Sequence, residues 1–128
     1  MKRIEYFTRC AGEPAPLEKS VRRVVRFNEV DPMNIMWHGH YASFFEDARI
    51  ALGDAYGIGY QDFYRHGFII PVRRMQIDYL SPLQFGREYE IKARLFYTEA
   101  ARLDYDFTVL DENGSVHARG CTVQLILD

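Results

Sequence analysis

The chain has 128 residues, the size of one ordinary domain. Its 48% hydrophobic and 15% aromatic residues exclude a disordered segment, because such segments lack the apolar surface that offsets the entropy of ordering. The net charge of -2 argues against general nucleic-acid binding, which requires a basic excess to neutralise phosphates.

The first residues of the chain and its two cysteines bear on where in the cell the protein is expected. The charged residues 1–6 lead into no apolar run of the signal-peptide type, and no stretch approaches the roughly 18 apolar residues of a membrane span. The chain has two cysteines, Cys10 and Cys121, and they form no CxxC pair. This argues against a cysteine zinc site and against a disulfide framework. We therefore expect a soluble cytoplasmic protein without a cofactor, which binds neither membranes nor nucleic acids.

Residues 1–19 differ from the rest of the chain. Pro14 and Pro16 do not fit a helix interior or a central strand, so we expect an N-terminal extension here and one domain over residues 20–128. Three residues of the extension are candidates for a short docked edge strand: Ile4, Tyr6 and Phe7.

The first elements of the domain are a strand, a turn and a long helix. From Val21 to Asn28 apolar and polar residues alternate, which predicts a strand with one buried face, and residues 31–34 predict a turn. Over residues 40–56 the apolar residues recur at helical spacing, and Arg49 is expected off their face. That face consists of Tyr41, Phe44, Phe45, Ala48, Ala51, Leu52 and Ala55.

The second half of the chain predicts strands. Gly57 and Gly59 end the helix, because glycine accepts the left-handed backbone of a helix cap, and a short helical turn is expected over residues 60–66. Asp111 and Gly114 bound a strong hairpin signal. Four strands are predicted, over residues 68–80, 88–98, 102–110 and 115–127, the first with an edge or bulged start.

The order of these elements predicts an α+β domain. Strands that follow one another through short connections are expected to be antiparallel. The long helix is the only element available to cover their apolar face. We therefore expect a five-stranded antiparallel sheet wrapped around a long central helix.

The segment before the helix resembles a family signature. Residues 31–41 read DPMNIMWHGHY, residues 44–49 read FFEDAR, and together they resemble the hotdog-fold acyl-CoA thioesterases of the 4-hydroxybenzoyl-CoA thioesterase and YbgC-like group. Two positions depart from the pattern. Asn34 replaces a glycine, a change that a left-handed backbone tolerates, and Phe27 replaces a tyrosine that YbgC-like members often carry.

The resemblance covers residues 21–127 and implies roles for particular residues. It implies that Asp31 activates water or attacks the thioester itself, whereas from spacing alone an aspartate before a helix is most often a turn or cap residue. His38 is expected to hold the water or the thioester, or else to order the loop. The helix start offers backbone N–H groups to the developing oxyanion, through Gly39, His40 and Tyr41.

Other residues are candidates for binding the substrate or a metal. The acyl group is expected to be short or aromatic because its candidate contacts are bulky, namely Trp37, Phe44, Phe45, Glu46, Phe68 and Tyr79. Glu46 equally fits an ion pair with Arg49. His38 and His40 lack a further ligand at a known spacing, so no metal is expected. Candidates for contact with coenzyme A are Arg73, Arg74, Ser81 and Arg94, with Lys92, Arg102 and Arg119 behind them, and each basic residue equally fits a solvated surface charge.

Three functions remain open from the sequence. The first is an acyl-CoA thioesterase, which the resemblance implies is a homodimer or homotetramer. The second is a thioesterase that acts on acyl groups attached to a carrier protein. The third is a module that binds acyl-CoA without turnover.

Overall fold

The computed structural model describes residues 4–128 and contains one five-stranded sheet. The strands are β1 (Leu17–Val24), β2 (Val72–Tyr79), β3 (Glu88–Phe96), β4 (Arg102–Leu110) and β5 (Val116–Leu125). They lie in the order β1-β3-β4-β5-β2, and every neighbouring pair is antiparallel. The helices are α1 (Tyr41–Tyr56) and α2 (Tyr60–Arg65). The predicted α+β architecture is confirmed.

Helix α1 packs against one face of the sheet. Phe44, Phe45 and Leu52 are fully buried, and the ring of Phe45 stacks on Phe107 of β4 with 4.7 Å between the centroids. The predicted apolar face is therefore largely correct. It differs at Arg49, which is buried rather than exposed, because it lies one turn after Phe45 on the same side of the helix.

The end of α1 follows its prediction. Gly57 has a left-handed backbone with φ 70°, and its N–H donates to the carbonyl of Gly53. Among the described residues, none of the helices has the length and apolar composition needed to span a membrane.

The first strand begins and ends earlier than its sequence pattern predicts. It spans Leu17–Val24, and Phe27 lies in a 3₁₀ turn with 81% of its surface exposed. The turn forms because the Glu29 carboxylate accepts a hydrogen bond from the backbone N–H of Arg26, 2.8 Å away. The apolar and polar alternation of the sequence extends to Phe27, but the strand ends at Val24 because the Glu29 side chain stabilises the turn.

The prediction of an extension over residues 1–19 falls in part on residues 1–3, which lie outside the described residues. Ile4, Tyr6 and Phe7 form no strand, so that prediction is wrong. Instead they contact the face of the sheet opposite α1. The Tyr6 hydroxyl donates to the Asp78 carboxylate, and the ring of Phe7 lies 5.3 Å from that of Phe96.

The position of β2 is the main topological feature that the strand pattern did not reveal. β2 pairs with β5 at one edge of the sheet, with a bulge between Val72 and Arg74 that agrees with the predicted irregular start. The connection over residues 80–87 therefore crosses to β3 instead of closing a hairpin. This crossing carries Ser81 and Leu83 to the start of α1, where the backbone N–H of Met36 donates to the Leu83 carbonyl at 2.7 Å.

Candidate active site

The loop before α1 is held by its own backbone. Val30 and Met36 form a β-bridge, and the N–H of Asp31 donates to the Ile35 carbonyl at 2.9 Å. Asn34 closes the turn with φ 65°, the one left-handed backbone among the described residues other than glycine. The expectation that the asparagine accepts a left-handed backbone at this turn is confirmed.

The carboxylate of Asp31 sits on this turn. Its Oδ1 accepts a hydrogen bond from the backbone N–H of Met33 at 2.8 Å, and the residue is half-buried. Its Oδ2 accepts no hydrogen bond from residues 4–128 and remains available to a ligand or to water. The turn therefore fixes the direction of the carboxylate while using only one of its two oxygens.

A partly buried ion cluster anchors the same loop to the sheet and helix. The Glu29 carboxylate lies 3.1 Å from the guanidinium of Arg23 on β1, and Arg23 also pairs with Asp47 on α1. The Glu29 carbonyl accepts the N–H of Trp37 at 2.9 Å. The cluster thus connects β1, the loop and α1.

His38 lies opposite Asp31, in a 3₁₀ turn that leads into α1. Its side chain is exposed, and its carbonyl accepts a hydrogen bond from the hydroxyl of Tyr79 at 3.0 Å. The ring of Tyr79 meets Tyr41 edge to face, with 4.7 Å between the centroids. Burial raises the pKa of Tyr41, against the opposing effect of the Leu83 backbone, so Tyr41 stays a neutral phenol near pH 7.

These residues enclose a cleft of about 330 Å³. Its walls consist of Asp31, Met33, Ile35, Met36, His38, Tyr41, Tyr79, Leu80, Ser81 and Pro82. The structure thus brings together five predicted site residues that lie up to 50 positions apart: Asp31, His38, Tyr41, Tyr79 and Ser81. Sequence reasoning missed Met33, Ile35, Met36, Leu80 and Pro82, whose only available signal was proximity to the motif or to the Ser81 turn.

The start of α1 presents backbone groups beside this cleft. His40 precedes the helix and provides no side-chain cap, and its own N–H already donates to the Trp37 carbonyl at 3.0 Å, so of the three predicted oxyanion donors Gly39, His40 and Tyr41 it is the one that is not available. The indole of Trp37 lies against this turn, 5.0 Å from the His38 ring and 5.4 Å from the His40 ring. An added Cβ on Gly39 would lie 2.1 Å from the indole, so glycine is what allows this packing.

Other predicted site residues lie elsewhere. Phe44 and Phe45 belong to the core and do not line the cleft, and Glu46 forms an ion pair with Arg49. Arg94 is on the opposite sheet face, where the carboxylate of Asp106 binds it through two hydrogen bonds of 2.9 and 2.6 Å.

The other predicted coenzyme A contacts divide between the edge strand and the inner strands. Lys92 lies on β3, and Arg102 and Arg119 pair with Asp104 and Asp106. Arg73 and Arg74 are exposed on β2, and Arg74 donates to Gln76 at 3.4 Å. Within residues 4–128, no group of three or more His, Cys, Asp or Glu side chains is arranged to hold a metal ion.

Comparisons with known proteins agree on one family. The model of the family described as "Thioesterase-like superfamily" matches residues 25–128. The acyl-acyl carrier protein thioesterase ATL3 of Arabidopsis thaliana is 26% identical over 127 residues, which are 97% of this chain and 67% of that protein.

Solved structures have the same fold. The DHNA-CoA thioesterase of Staphylococcus aureus has a TM-score of 0.77 and 25% identity, over 85% of this chain and 73% of that one. The hypothetical protein TT1821 of Thermus thermophilus has a TM-score of 0.78 and 29% identity, over 85% of this chain and 82% of that one.

Proposed function

The chain belongs to the thioesterase-like superfamily and is a thioester hydrolase, and from this premise we propose that it hydrolyses a short or aromatic acyl-CoA to the free acid and coenzyme A. The observation that carries the proposal is the cleft in which Asp31, His38 and Ser81 meet the start of α1. The DHNA-CoA thioesterase supports coenzyme A as the carrier.

In the proposed reaction, Asp31 is the catalytic base. Its free carboxylate oxygen removes a proton from a water molecule, and the oxygen of that water forms a bond to the thioester carbon. The N–H groups at the start of α1 stabilise the negative charge on the carbonyl oxygen. The C–S bond then breaks and coenzyme A leaves as a thiolate, which needs no strong acid because thiols are acidic, with a pKa of ~8.5.

A second course uses the same residue as a nucleophile. Here Asp31 attacks the thioester carbon, the thiolate leaves, and water hydrolyses the resulting mixed anhydride. Hydrolysis over several turnovers in H₂¹⁸O tests the nucleophilic course. When water attacks the aspartyl carbon of the anhydride, ¹⁸O enters the carboxylate of Asp31, and this label excludes the base course. When water attacks the acyl carbon, the label enters only the released acid, as it does in the base course.

The size and walls of the cleft support a short or aromatic acyl group. The cleft holds about 330 Å³, and Tyr79 and Met36 provide apolar walls. A long chain would need a tunnel into the core, where the fully buried Phe44 and Phe45 pack between α1 and the sheet. We retain Trp37 as a candidate contact at the exposed side of the helix start.

Coenzyme A is proposed to lie along β2. Arg73 and Arg74 are exposed on this strand, which ends at Tyr79 beside the cleft, and either can contact phosphate. Arg94 is the weakest of the predicted contacts because Asp106 already binds its guanidinium.

We also propose a homodimer formed through the edge of β2, with a homotetramer as a further possibility. Within residues 4–128, β2 pairs only with β5, so its other edge keeps unpaired backbone groups. Val72, Met75 and Tyr79 on this strand are large apolar residues with much exposed surface. Because Tyr79 also lines the cleft, a second copy at this edge would cover one side of the site.

The test compares Asp31→Asn with the wild type on a panel of aromatic, short, medium and long acyl-CoA substrates. Release of coenzyme A, measured with a thiol reagent, is expected to fall by about 100-fold to 10,000-fold on the best substrate. The asparagine oxygen can still accept the Met33 N–H, so the melting temperature should not change. Glu112→Gln, an exposed carboxylate in the β4–β5 turn, is the matched control and should retain full activity.

Two results would contradict the proposal. If Asp31→Asn keeps wild-type turnover, Asp31 is neither base nor nucleophile. If the wild type binds acyl-CoA but hydrolyses neither a member of the panel nor the carrier-linked substrate, the chain is a binding module.

A carrier-protein thioesterase is the second candidate, because the similarity to ATL3 extends over nearly the whole chain. Acyl-carrier protein and acyl-CoA with the same acyl group are compared side by side. A higher kcat/KM on the carrier-linked substrate would favour this candidate.

A further inference from the structure

His117 on β5 holds the connection that forms one wall of the Asp31 cleft. Leu80, Ser81 and Pro82 of this connection line the cleft. The backbone N–H groups of Leu80 and Ser81 both donate to the His117 carbonyl, at 3.0 and 2.9 Å. The ring Nδ1 of His117 lies 3.1 Å from the Pro82 carbonyl oxygen. Three successive residues of the wall therefore depend on contacts with His117.

His117 occupies a bulge in the sheet. The ladder between β4 and β5 pairs Leu110 with Val116 and Val109 with Ala118, so His117 is an extra residue on β5. A bulge of this kind re-aims the side chain that it carries. The His117 side chain is only 12% exposed, because its ring is turned towards the connection and the β4–β5 turn.

Both nitrogens of the ring face oxygen atoms that accept hydrogen bonds. The Nε2 of His117 lies 2.8 Å from Oδ2 of Asp111 in the β4–β5 turn, and Nδ1 faces the Pro82 carbonyl. A carbonyl oxygen and an ionised carboxylate have no proton to donate. The two contacts together therefore require an N–H on each nitrogen, and only the protonated ring has both.

The carboxylate of Asp111 is held in place by its own turn. Its Oδ1 accepts the backbone N–H of Asn113 at 2.9 Å and that of Ser115 at 3.0 Å. The hydrogen bond from His117, together with that from the Ser115 backbone, holds the pKa of Asp111 below its ordinary value. Asp111 is therefore ionised near neutral pH and keeps a negative charge beside Nε2.

The other elements near the ring contribute a phenol and an ion pair. The ring of Tyr89 on β3 meets the His117 ring edge to face, with 5.2 Å between the centroids. Arg87 precedes β3 and Glu112 follows Asp111, and these two exposed side chains pair with each other at 3.4 Å. Among the described residues, the ionised group that bonds to the ring is therefore Asp111.

Loss of one proton breaks the contact with the wall and spares the contact with the turn. A hydrogen bond to an ionised carboxylate is about twice as strong as one to a neutral carbonyl. The neutral ring therefore keeps its proton on Nε2, where Asp111 accepts it. The lone pair of Nδ1 then faces the Pro82 carbonyl oxygen, and the wall loses one of its hydrogen bonds.

We propose that His117 is a positioning residue whose protonated ring, held by Asp111, fixes the Ser81–Pro82 wall of the Asp31 cleft for substrate binding. Deprotonation of the ring frees the wall, so substrate affinity falls as the pH rises. Asp31 keeps its own geometry, because its carboxylate is held by the N–H of Met33 in a separate turn. The effect on substrate rests on the proposed function, whereas the effect on the wall does not.

The first test follows the ring and the wall in the protein without substrate. Long-range ¹⁵N–¹H NMR reports the protonation and tautomer of His117 from about pH 5 to about pH 9. The carbonyl ¹³C shift of Pro82, detected through the amide of Leu83, reports the hydrogen bond. We expect the ring to lose its Nδ1 proton and the Pro82 shift to move with the same midpoint. A Pro82 shift independent of the ring, a neutral ring with its proton on Nδ1, or a ring of constant charge would each overturn the proposal.

The second test measures affinity and turnover over the same pH range. The binding probe is S-phenacyl-coenzyme A, a thioether that has a carbonyl and an aromatic ring but no thioester to hydrolyse. Its Kd should rise about threefold to tenfold as the ring loses its proton, the effect expected for one hydrogen bond. With benzoyl-CoA the KM should rise by a similar factor, and kcat should not show this transition.

Two variants separate the two contacts of the ring. In His117→Gln the amide nitrogen can take the place of Nε2 but does not reach Pro82, so the Kd should have its higher value at every pH. In Asp111→Asn the new amide donates to Nε2, so the neutral ring carries its proton on Nδ1 and keeps the contact with Pro82. The rise in Kd at high pH should therefore disappear. A purely structural role predicts instead a similar loss of affinity in both variants.

His66→Gln is the matched control. His66 is exposed after α2, where its Nδ1 contacts the Asp62 carbonyl at 2.8 Å, so this variant should keep the wild-type pH profile. Comparison with it also cancels the titration of the phosphate groups of the probe. If His117→Gln fails to fold, Asp111→Asn and the wild type still decide the question.

Two results with the variants would overturn the proposal. One is a pH-dependent Kd that neither variant changes, and the other is an equal loss of affinity in both at every pH. Failure of the proposed function has a different signature, because turnover would be absent while the NMR transition of the ring and of Pro82 remained.

Discussion

The two ends of α1 are built differently. At its start, the Asp31 cleft is formed by backbone turns and by side chains with much exposed surface, such as His38 and Tyr79. At its other end, a second cavity of about 250 Å³ is lined by side chains of the core, among them Arg49, Tyr105 and Gln124. Substitutions at the start should therefore change chemistry with little effect on folding, whereas those at the other end should affect folding as well.

The packed middle of α1 separates these two ends, and Gly120→Ala tests it. An added Cβ would lie 2.5 Å from the ring of Phe45 and 2.6 Å from the carbonyl oxygen of Gln76. Because one of these atoms is backbone, we expect the free energy of unfolding in urea to fall by about 3 kcal/mol. A loss below about 0.5 kcal/mol would show that α1 and the sheet move apart easily at this position. The Asp31 cleft and the second cavity would then not be separated by a rigid core.

Alkaline pH tests the buried character of the second cavity through Tyr105. Burial is the main cause that raises the pKa of Tyr105 from 10.0 to about 12, with the Arg49 charge acting in the opposite direction. The pKa of Tyr105 is higher in the folded protein than in the unfolded chain. Its contribution to the free energy of unfolding is therefore fully present below pH 10 and is lost as the pH rises towards 12.

Tyr105→Phe should remove this loss, which we put at about 2 kcal/mol. Urea unfolding at several pH values between 7 and 12 measures it. The range from pH 7 to 9 is the internal control, because there the two proteins should show parallel profiles. Equal alkaline slopes for variant and wild type would mean that Tyr105 reaches solvent.

Gly39→Ala makes the complementary change at the start of α1. The added Cβ meets the indole of Trp37, which is 47% exposed and can swing into solvent. We expect the free energy of unfolding to change by less than about 0.5 kcal/mol. The indole contacts His38, so kcat/KM should fall by about tenfold. A large loss of stability without loss of activity would reverse the contrast between the two ends.

The sequence was most informative where one periodicity dominates. The helix over residues 40–56 and the strand over residues 102–110 were predicted almost to the residue, because their apolar side chains repeat at 3.6 and 2 positions. It was less informative where a single polar side chain overrides a pattern. Glu29 ends the alternation before Phe27, and the partners Glu46 and Thr122 allow Arg49 to be buried.

One part of the candidate site could be predicted from the sequence and another part could not. The segment from Asp31 to Tyr41 is continuous in sequence, so its motif could be identified before the fold was known. Leu80 and Pro82 join it only because β2 pairs with β5 and sends the following connection across to β3. A period of two identifies a strand and its buried face, but it carries no information about which strand is its neighbour.

The sequence by itself thus determined the α+β architecture, the central helix and the continuous motif from Asp31 to Tyr41, because each depends on neighbours within about ten positions. The tertiary structure alone decided the strand order, the walls of the cleft, the core positions of Phe44 and Phe45, and the second cavity that Arg49 and Gln124 line. These features depend on contacts between residues far apart in the chain, and such contacts follow from packing that no local pattern encodes.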